Sequence, residues 1–235
     1  MTELRPAEPR RTRAVFFDVD FTLIHPGPAF QGHGYADACA RHGVRVDAAR
    51  FDAAVAAASA TLHNEGGAYD PRVFIEFTSR IIEGMGGAGE GVVRAATDLY
   101  EAWSACHHFT LYEEVPEVLR DLRADGYRIG LITNSERSFD VFERHFELHG
   151  LFDVAISSSD HGFMKPHPSI FEEGLRRAGV AAGEAVMVGD SVPHDIQGAL
   201  RLGMRGILVA RSGLSTGAPP DVPVIQSLRE LRPLL

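Results

Sequence analysis

The sequence predicts a doubly wound α/β fold, a mostly parallel sheet flanked by helices, with an α-helical cap domain inserted after the first strand. Three observations predict it. From about Phe109 onward, short apolar runs alternate with helical patterns, as in sheets built from successive β-α units. One further apolar run, Ala14-Val-Phe-Phe, stands far upstream and ends in Asp18. Between them, from Gln31 to about Cys106, alanine dominates, apolar residues recur at helical spacing, and no strand pattern is visible. The expected organisation is a flexible arm over residues 1–13, an α/β core over 14–26 and 109–235, and a helical cap over 27–108.

The arm carries Arg5, Arg10, Arg11 and Arg13 with Pro6 and Pro9, a frayed lead-in to the first strand. Ala14–Phe17 shows no polar alternation, which fits a strand covered on both faces. Pro26-Gly27-Pro28 breaks regular structure. About four helices follow. Phe51, Val55, Ala58 and Leu62 space one of them; Val73, Phe74, Phe77 and Ile81 space another, and the Gly-rich stretch from Gly84 to Gly91 is a connection. A helix from about Pro116 to Ala124 has proline in its first turn and Gly126 past its end. Then come a strand over Tyr127–Thr133, a helix over about Glu136–Leu148, a strand over Val154–Ser157 and a helix from Pro168 to near Gly179. A strand over Ala185–Val188, a helix over about Asp195–Leu202 and a strand over Gly206–Ala210 complete the alternation. The tail, Val224–Leu235, reads as a short edge strand and a last helix.

Composition narrows the function classes. Hydrophobic residues make up 45% of the 235 residues, enough for a full core. The formal net charge of −9 repels nucleic-acid backbones and anionic lipid, so neither is an expected partner. Cys39 and Cys106 lack metal-ligand spacing and read as reduced thiols. No apolar run approaches the roughly 20 residues that cross a bilayer, and none follows the N-terminal charges as in a secretory signal. A cytoplasmic protein, monomer or homodimer, is expected.

Ligands of open α/β sheets bind beyond the carboxyl ends of the strands, and four such ends carry reactive groups. Asp18-Val-Asp20 places two carboxylates where they can converge; like charges at close range force one pKa up unless a cation neutralises them. Two loop aspartates capping turns would look the same. Thr133-Asn134-Ser135 offers a hydroxyl and free N–H groups ahead of a helix, which suits an anion or an ordinary helix cap. Lys165 lies in the proline-stiffened Lys165-Pro-His-Pro168 and is the chain's single lysine among 23 basic residues. A chain that otherwise uses arginine has a reason to need an ammonium there. Gly189-Asp190, with Asp195 five residues on, fits a hard-cation site, since magnesium takes one or two protein carboxylates and keeps waters; Asp195 also fits a helix cap.

In their order and placement these four segments resemble the motifs of the haloacid dehalogenase superfamily, over about residues 14–26 and 109–215, and the helical insert resembles that family's first class of cap. The resemblance implies a Rossmann-like core and a phosphatase that acts on a small phosphorylated substrate through an aspartyl phosphate on Asp18. It implies Asp20 as general acid and then base, and Thr133, Asn134 and Lys165 around the phosphate. It implies Mg2+ held by Asp18, Asp190 and the carbonyl of Asp20, with Asp195 orienting the metal waters or Lys165. The connections near Pro26–Pro28 and Phe109–Glu113 are the expected cap pivots, and His33, Tyr69 and Arg72 are candidate substrate readers. Two departures stand out: Phe21 where many relatives carry glycine or a small polar residue, and His25 where relatives acting on small sugars or acids often carry aspartate. His145 and His149 have helical metal-pair spacing but no third ligand, and read as ordinary helix residues. The competing functions are a dehalogenase, a phosphomutase and a non-catalytic phosphometabolite-binding module.

Overall fold

The computed structural model describes residues 11–59, 67–211 and 217–235. Among them, six parallel strands form one sheet in the order β5-β4-β1-β6-β7-β8: β1 Ala14–Phe17, β4 Arg128–Thr133, β5 Val154–Ser157, β6 Ala185–Gly189, β7 Arg205–Val209 and β8 Val224–Ile225. Both faces are covered, as the unbroken apolar runs require. Phe16, Ile132 and Met187 point to a layer with Ile170 and Phe171, while Val15, Phe17, Leu131 and Val188 point to the opposite one with Leu119 and Phe142. The second layer runs on without interruption into the helical insert.

That insert contains α1 Gly32–Arg41, α2 Phe51–Ala58, α3 Pro71–Gly84 and α4 Gly91–Trp103. Asp70 caps α3 by accepting the Arg72 N–H at 2.9 Å, and Pro71 starts the helix where no N–H is missed. Leu62, expected to extend the α2 stripe, lies outside the described residues, as does the arm through Arg10. The last part of the arm is tied down: the Thr12 hydroxyl donates to the Leu235 carbonyl at 2.9 Å and the Arg13 N–H to that of Glu184 at 2.7 Å.

The remaining helices are α5 Val115–Ala124, α6 Phe139–His145, α7 Ser158–His161, α8 Pro168–Ala178 and α9 Gln197–Arg201. Four local expectations are corrected. The Pro26-Gly-Pro28 break is in part a strand: β2 Ile24–Pro26 pairs antiparallel with β3 Phe109–Leu111, so both chain crossings into the insert run side by side. Helix α6 starts three residues later than expected, because the Arg137 N–H donates to Ser135 Oγ and its side chain turns inward. The helix expected from Asp195 is preceded by a π-helical turn over Val192–Ile196, capped by Ser191. The last helix is instead two 3-10 turns, Leu228–Glu230 and Arg232–Leu234, since Pro233 cannot donate to a helix that would run through it.

Candidate active site

The sheet register builds the site. Phe17 lies beside Leu131 on one side and Val188 on the other, so the chain leaves β1, β4 and β6 at neighbouring points of one edge. Order reverses around β1, which opens a crevice there. Asp18 is fixed at this edge by its N–H, which donates to the Val188 carbonyl at 2.9 Å. Lys165 Nζ donates to Asp18 Oδ1 and to Asp195 Oδ1, each at 2.6 Å, with its side chain only 2% exposed. The second oxygen of Asp195 accepts the Ser191 N–H at 3.0 Å. Asp195 reaches this position because residue 189 is glycine: a Cβ there would lie 2.2 Å from Asp195 Oδ2. Thr133 is buried at the end of β4. The Asn134 side chain is spent on the Lys165 backbone, donating to its carbonyl at 3.0 Å and accepting its N–H at 2.7 Å. It positions the lysine segment.

The electrostatics are those of a site with too little positive charge. Oxygens of Asp18, Asp190 and Asp195 lie within 4.8 Å of one another, with Lys165 the one ammonium among them. Burial pushes the Asp18 carboxyl up; the Lys165 charge draws it back and Asp195 pushes it up again, for a value of about 6. Asp190 opens onto the cleft, yet loss of hydration at the cleft floor and repulsion from Asp18 and Asp195 raise it well above an ordinary carboxyl. Lys165 loses hydration too, but its two carboxylate partners outweigh that and hold it charged. An all-oxygen donor set with excess negative charge fits a hard divalent cation.

One buried cation of the site was not foreseen. Arg137, 3% exposed, forms an ion pair with Asp20 at 3.1 Å, donates to the Trp103 carbonyl at 2.8 Å, and stacks over Phe109 at 4.6 Å. It joins Asp20 to the end of α4 and to β3. Burial and the Asp18 charge raise the Asp20 carboxyl more than Arg137 lowers it. In sequence Arg137 looks like any first-turn helix residue; its nearness to Thr133 was the only signal. A second unforeseen group is Glu114, 5% exposed, which accepts from Arg211, Ser227 and the Leu228 N–H, while Arg211 donates to the Thr22 carbonyl at 2.7 Å.

Asp18, Asp20, Thr133, Asn134, Lys165, Asp190 and Asp195 all line one cleft of about 1020 Å³ between sheet edge and insert. Of the three cap candidates only Tyr69 lines it, with its hydroxyl 2.5 Å from that of Tyr100. Arg72 is folded back on Asp70 with its side chain 86% exposed, and His33 is exposed on α1. His25 packs on Tyr112 at 5.0 Å between ring centres, and His145 and His149 are exposed. Phe21 sits in the left-handed region at φ 62°, which explains why glycine suits this position. Both cysteines are buried and free, and no helix of the described residues is long and apolar enough to cross a membrane.

Comparison with known proteins gives the same picture. A glyceraldehyde 3-phosphate phosphatase of Methanothermobacter thermautotrophicus is 35% identical over 53% of this chain and 58% of its own length, so the match spans under two thirds of that relative. The crystal structure of a HAD phosphatase from Thermococcus onnurineus superposes with a TM-score of 0.67 at 26% identity, covering 95% of this chain and 97% of that one. A 2-haloacid dehalogenase from Pseudomonas syringae pv. Tomato also covers 95% and 97%, at 26% identity and a TM-score of 0.61. The family model for haloacid dehalogenase-like hydrolases matches residues 12–203. With that match covering most of the chain, and with an aspartate, a lysine and an acidic pair meeting at the sheet edge, this protein belongs to the haloacid dehalogenase-like hydrolases.

Proposed function

We propose that this chain is a magnesium-dependent phosphatase that hydrolyses a small phosphate monoester through an aspartyl phosphate on Asp18. The observation that carries it is the buried Lys165 held 2.6 Å from Asp18, with Asp190 close by. A phosphate dianion meeting a carboxylate is repelled, and this arrangement supplies the opposing charge. Asp18, Asp190 and the Asp20 carbonyl would hold the metal, which when bound supplies charge neutralisation at the reacting phosphoryl group. Asp195 is left to orient, because Lys165 and the Ser191 N–H already occupy its two oxygens.

Asp18 attacks phosphorus as the ester P–O bond breaks, and Asp20 gives its proton to the departing oxygen. Asp20 then takes a proton from water as that water attacks the same phosphorus, which frees inorganic phosphate and restores Asp18. Thr133, the Asn134 N–H and Lys165 would receive the phosphoryl oxygens, and Arg137 fixes where Asp20 stands. The paired crossings β2 and β3 are the proposed hinge of a cap over residues 27–108.

Against dehalogenation stand Asp20 with its dedicated Arg137 and the acidic pair of Asp18 and Asp190. The experiment is phosphate release from a panel of phosphate monoesters with magnesium, repeated with a chelator. The reading expects release that stops on chelation and in Asp18→Asn. Halide release from 2-haloacids that survives chelation would replace it with carbon chemistry.

A further inference from the structure

The cleft that begins at Asp18 does not continue as a polar site. Phe51 of α2, Phe74 and Phe77 of α3 and Trp103 of α4 line it, joined by Phe21 and Phe30 from the segment after β1. We infer that the group esterified to the phosphate is apolar, an aryl or medium-chain alkyl moiety seated against these rings, and neither a polyol nor a carboxylic acid. This rests on the phosphatase reading of the same cleft.

Four observations carry it. First, most polar groups that the insert brings to the wall are already paired, the Gln31 amide being the exception. The Tyr69 hydroxyl meets that of Tyr100 at 2.5 Å and donates to Glu136 at 3.3 Å. The Ser59 and Ser104 hydroxyls each donate at 2.8 Å to a carbonyl of their own helix. A sugar would find few free partners, and a polyol that loses water without replacing its hydrogen bonds binds poorly.

Second, among the described residues, none that the insert contributes to the cleft wall is basic; the lysine and arginine of the lining are Lys165 and Arg211, both from the core. Lys165 is committed to Asp18 and Asp195, and Arg211 to Glu114 and Thr22. A substrate carboxylate would meet no spare cation beside Asp18, Asp190 and Glu136.

Third, the wall is concave and large. About 1020 Å³ exceeds what a phosphate and a three-carbon chain occupy, and pockets of this size with mostly apolar lining bind apolar groups.

Fourth, Phe21 keeps an unfavourable backbone. A phenylalanine at φ 62° is strained, yet the ring is retained, 44% exposed and 6.2 Å from the Trp103 ring. Strain of this kind at a site mouth fits a side chain that the site uses.

The test compares four esters with magnesium. Phenethyl phosphate and n-hexyl phosphate are set against glycerol 1-phosphate and phosphoglycolate, all with alkoxide leaving groups, so kcat/KM reports the fit of the cleft. Acetyl phosphate, which has almost nothing to place on the wall, reports the phosphate site alone. The inference expects kcat/KM for the apolar pair to exceed that for the polar pair by at least about tenfold, the worth of one or two methylenes in an apolar pocket. Phe74→Gln and Phe21→Gly should each shrink that ratio, Phe74→Leu should restore most of it, and Phe21→Gly should not lower Tm. Hydrolysis of acetyl phosphate with equal or reversed preference among the esters overturns the inference and leaves the phosphatase reading standing. No hydrolysis of any of the four esters or of acetyl phosphate overturns both.

Discussion

On the floor of the cleft, one ammonium is held between two carboxylates at 2.6 Å each, whereas the cleft wall presents rings that meet at 4.5–6.2 Å in tilted contacts. The floor is specified by distance and charge, so moving one group alters every neighbour. The wall is specified by area and shape, and any side chain of similar bulk preserves most of it. On the proposed reading the two divide the labour: the floor sets the reaction and the wall sets what the reaction is done to. Substitutions on the floor should cost orders of magnitude in rate, and substitutions on the wall should change ratios between substrates.

The largest expected effects are therefore at the floor. Asp18→Asn should lower kcat for any phosphate ester by at least about 10⁴-fold, and Lys165→Ala by about 10³-fold, measured as steady-state phosphate release. Either variant retaining a tenth of the activity would break the comparison, since the floor would then be as tolerant as the wall. Next comes Arg137→Met, which removes the cation that places Asp20. It should lower kcat/KM for an alkyl phosphate by about 10²-fold, and for acetyl phosphate by much less, because a departing acetate needs no proton. Equal losses for the two substrates would make Arg137 a structural residue alone.

The floor was legible in the sequence because its members sit at strand ends or in the loops just beyond them. Apolar runs ending in Asp18, Thr133 and Gly189-Asp190 announce both the strand and the edge where the chain leaves it, and a lone lysine in a chain of arginines announces a special requirement. Arg137 and the Glu114–Arg211 pair were not legible. Their partners are 117 and 97 residues away, and nothing local marks a charge that will be buried by a distant one. Arg137 also lies just before the misplaced start of α6, where its N–H donates to the Ser135 hydroxyl. The wall was half legible. The helical spacing of Val73, Phe74, Phe77 and Ile81 was readable as an apolar face. All four line the cleft, and how deeply each sits, Ile81 at 1% exposure against the half-buried Phe74 and Phe77, depends on the neighbouring helices.

Smaller effects sharpen the contrast from outside the reaction. Glu114 ties Arg211 and the turn at Ser227–Leu228 together beneath the Thr22 carbonyl, and holds no group of the floor. Glu114→Gln should cost roughly 3 kcal/mol of stability, on the order of 10 °C in Tm, with little change in kcat. Burial raises the Glu114 carboxyl, but the Arg211 bond and the backbone N–H groups outweigh it and leave it lowered. A carboxyl lowered in the fold contributes stability above its unfolded pKa, near 4.5, and loses it as pH falls through the lower folded value. Acid unfolding of the wild type should show that loss, and Glu114→Gln should flatten it. Phe21→Gly is the smallest expected change, within about 1 kcal/mol, because relief of the left-handed strain offsets the flexibility that glycine adds to the unfolded chain.

The most direct test of the floor is to catch the bond it is built to make. Wild-type protein mixed with magnesium and an excess of a turned-over ester, quenched in acid within one turnover and digested, should yield the peptide containing Asp18 heavier by one phosphoryl group, and Asp18→Asn should not. Continued release of phosphate with the Asp18 peptide unmodified at every quench time, or with the phosphoryl group on another residue, would contradict the account.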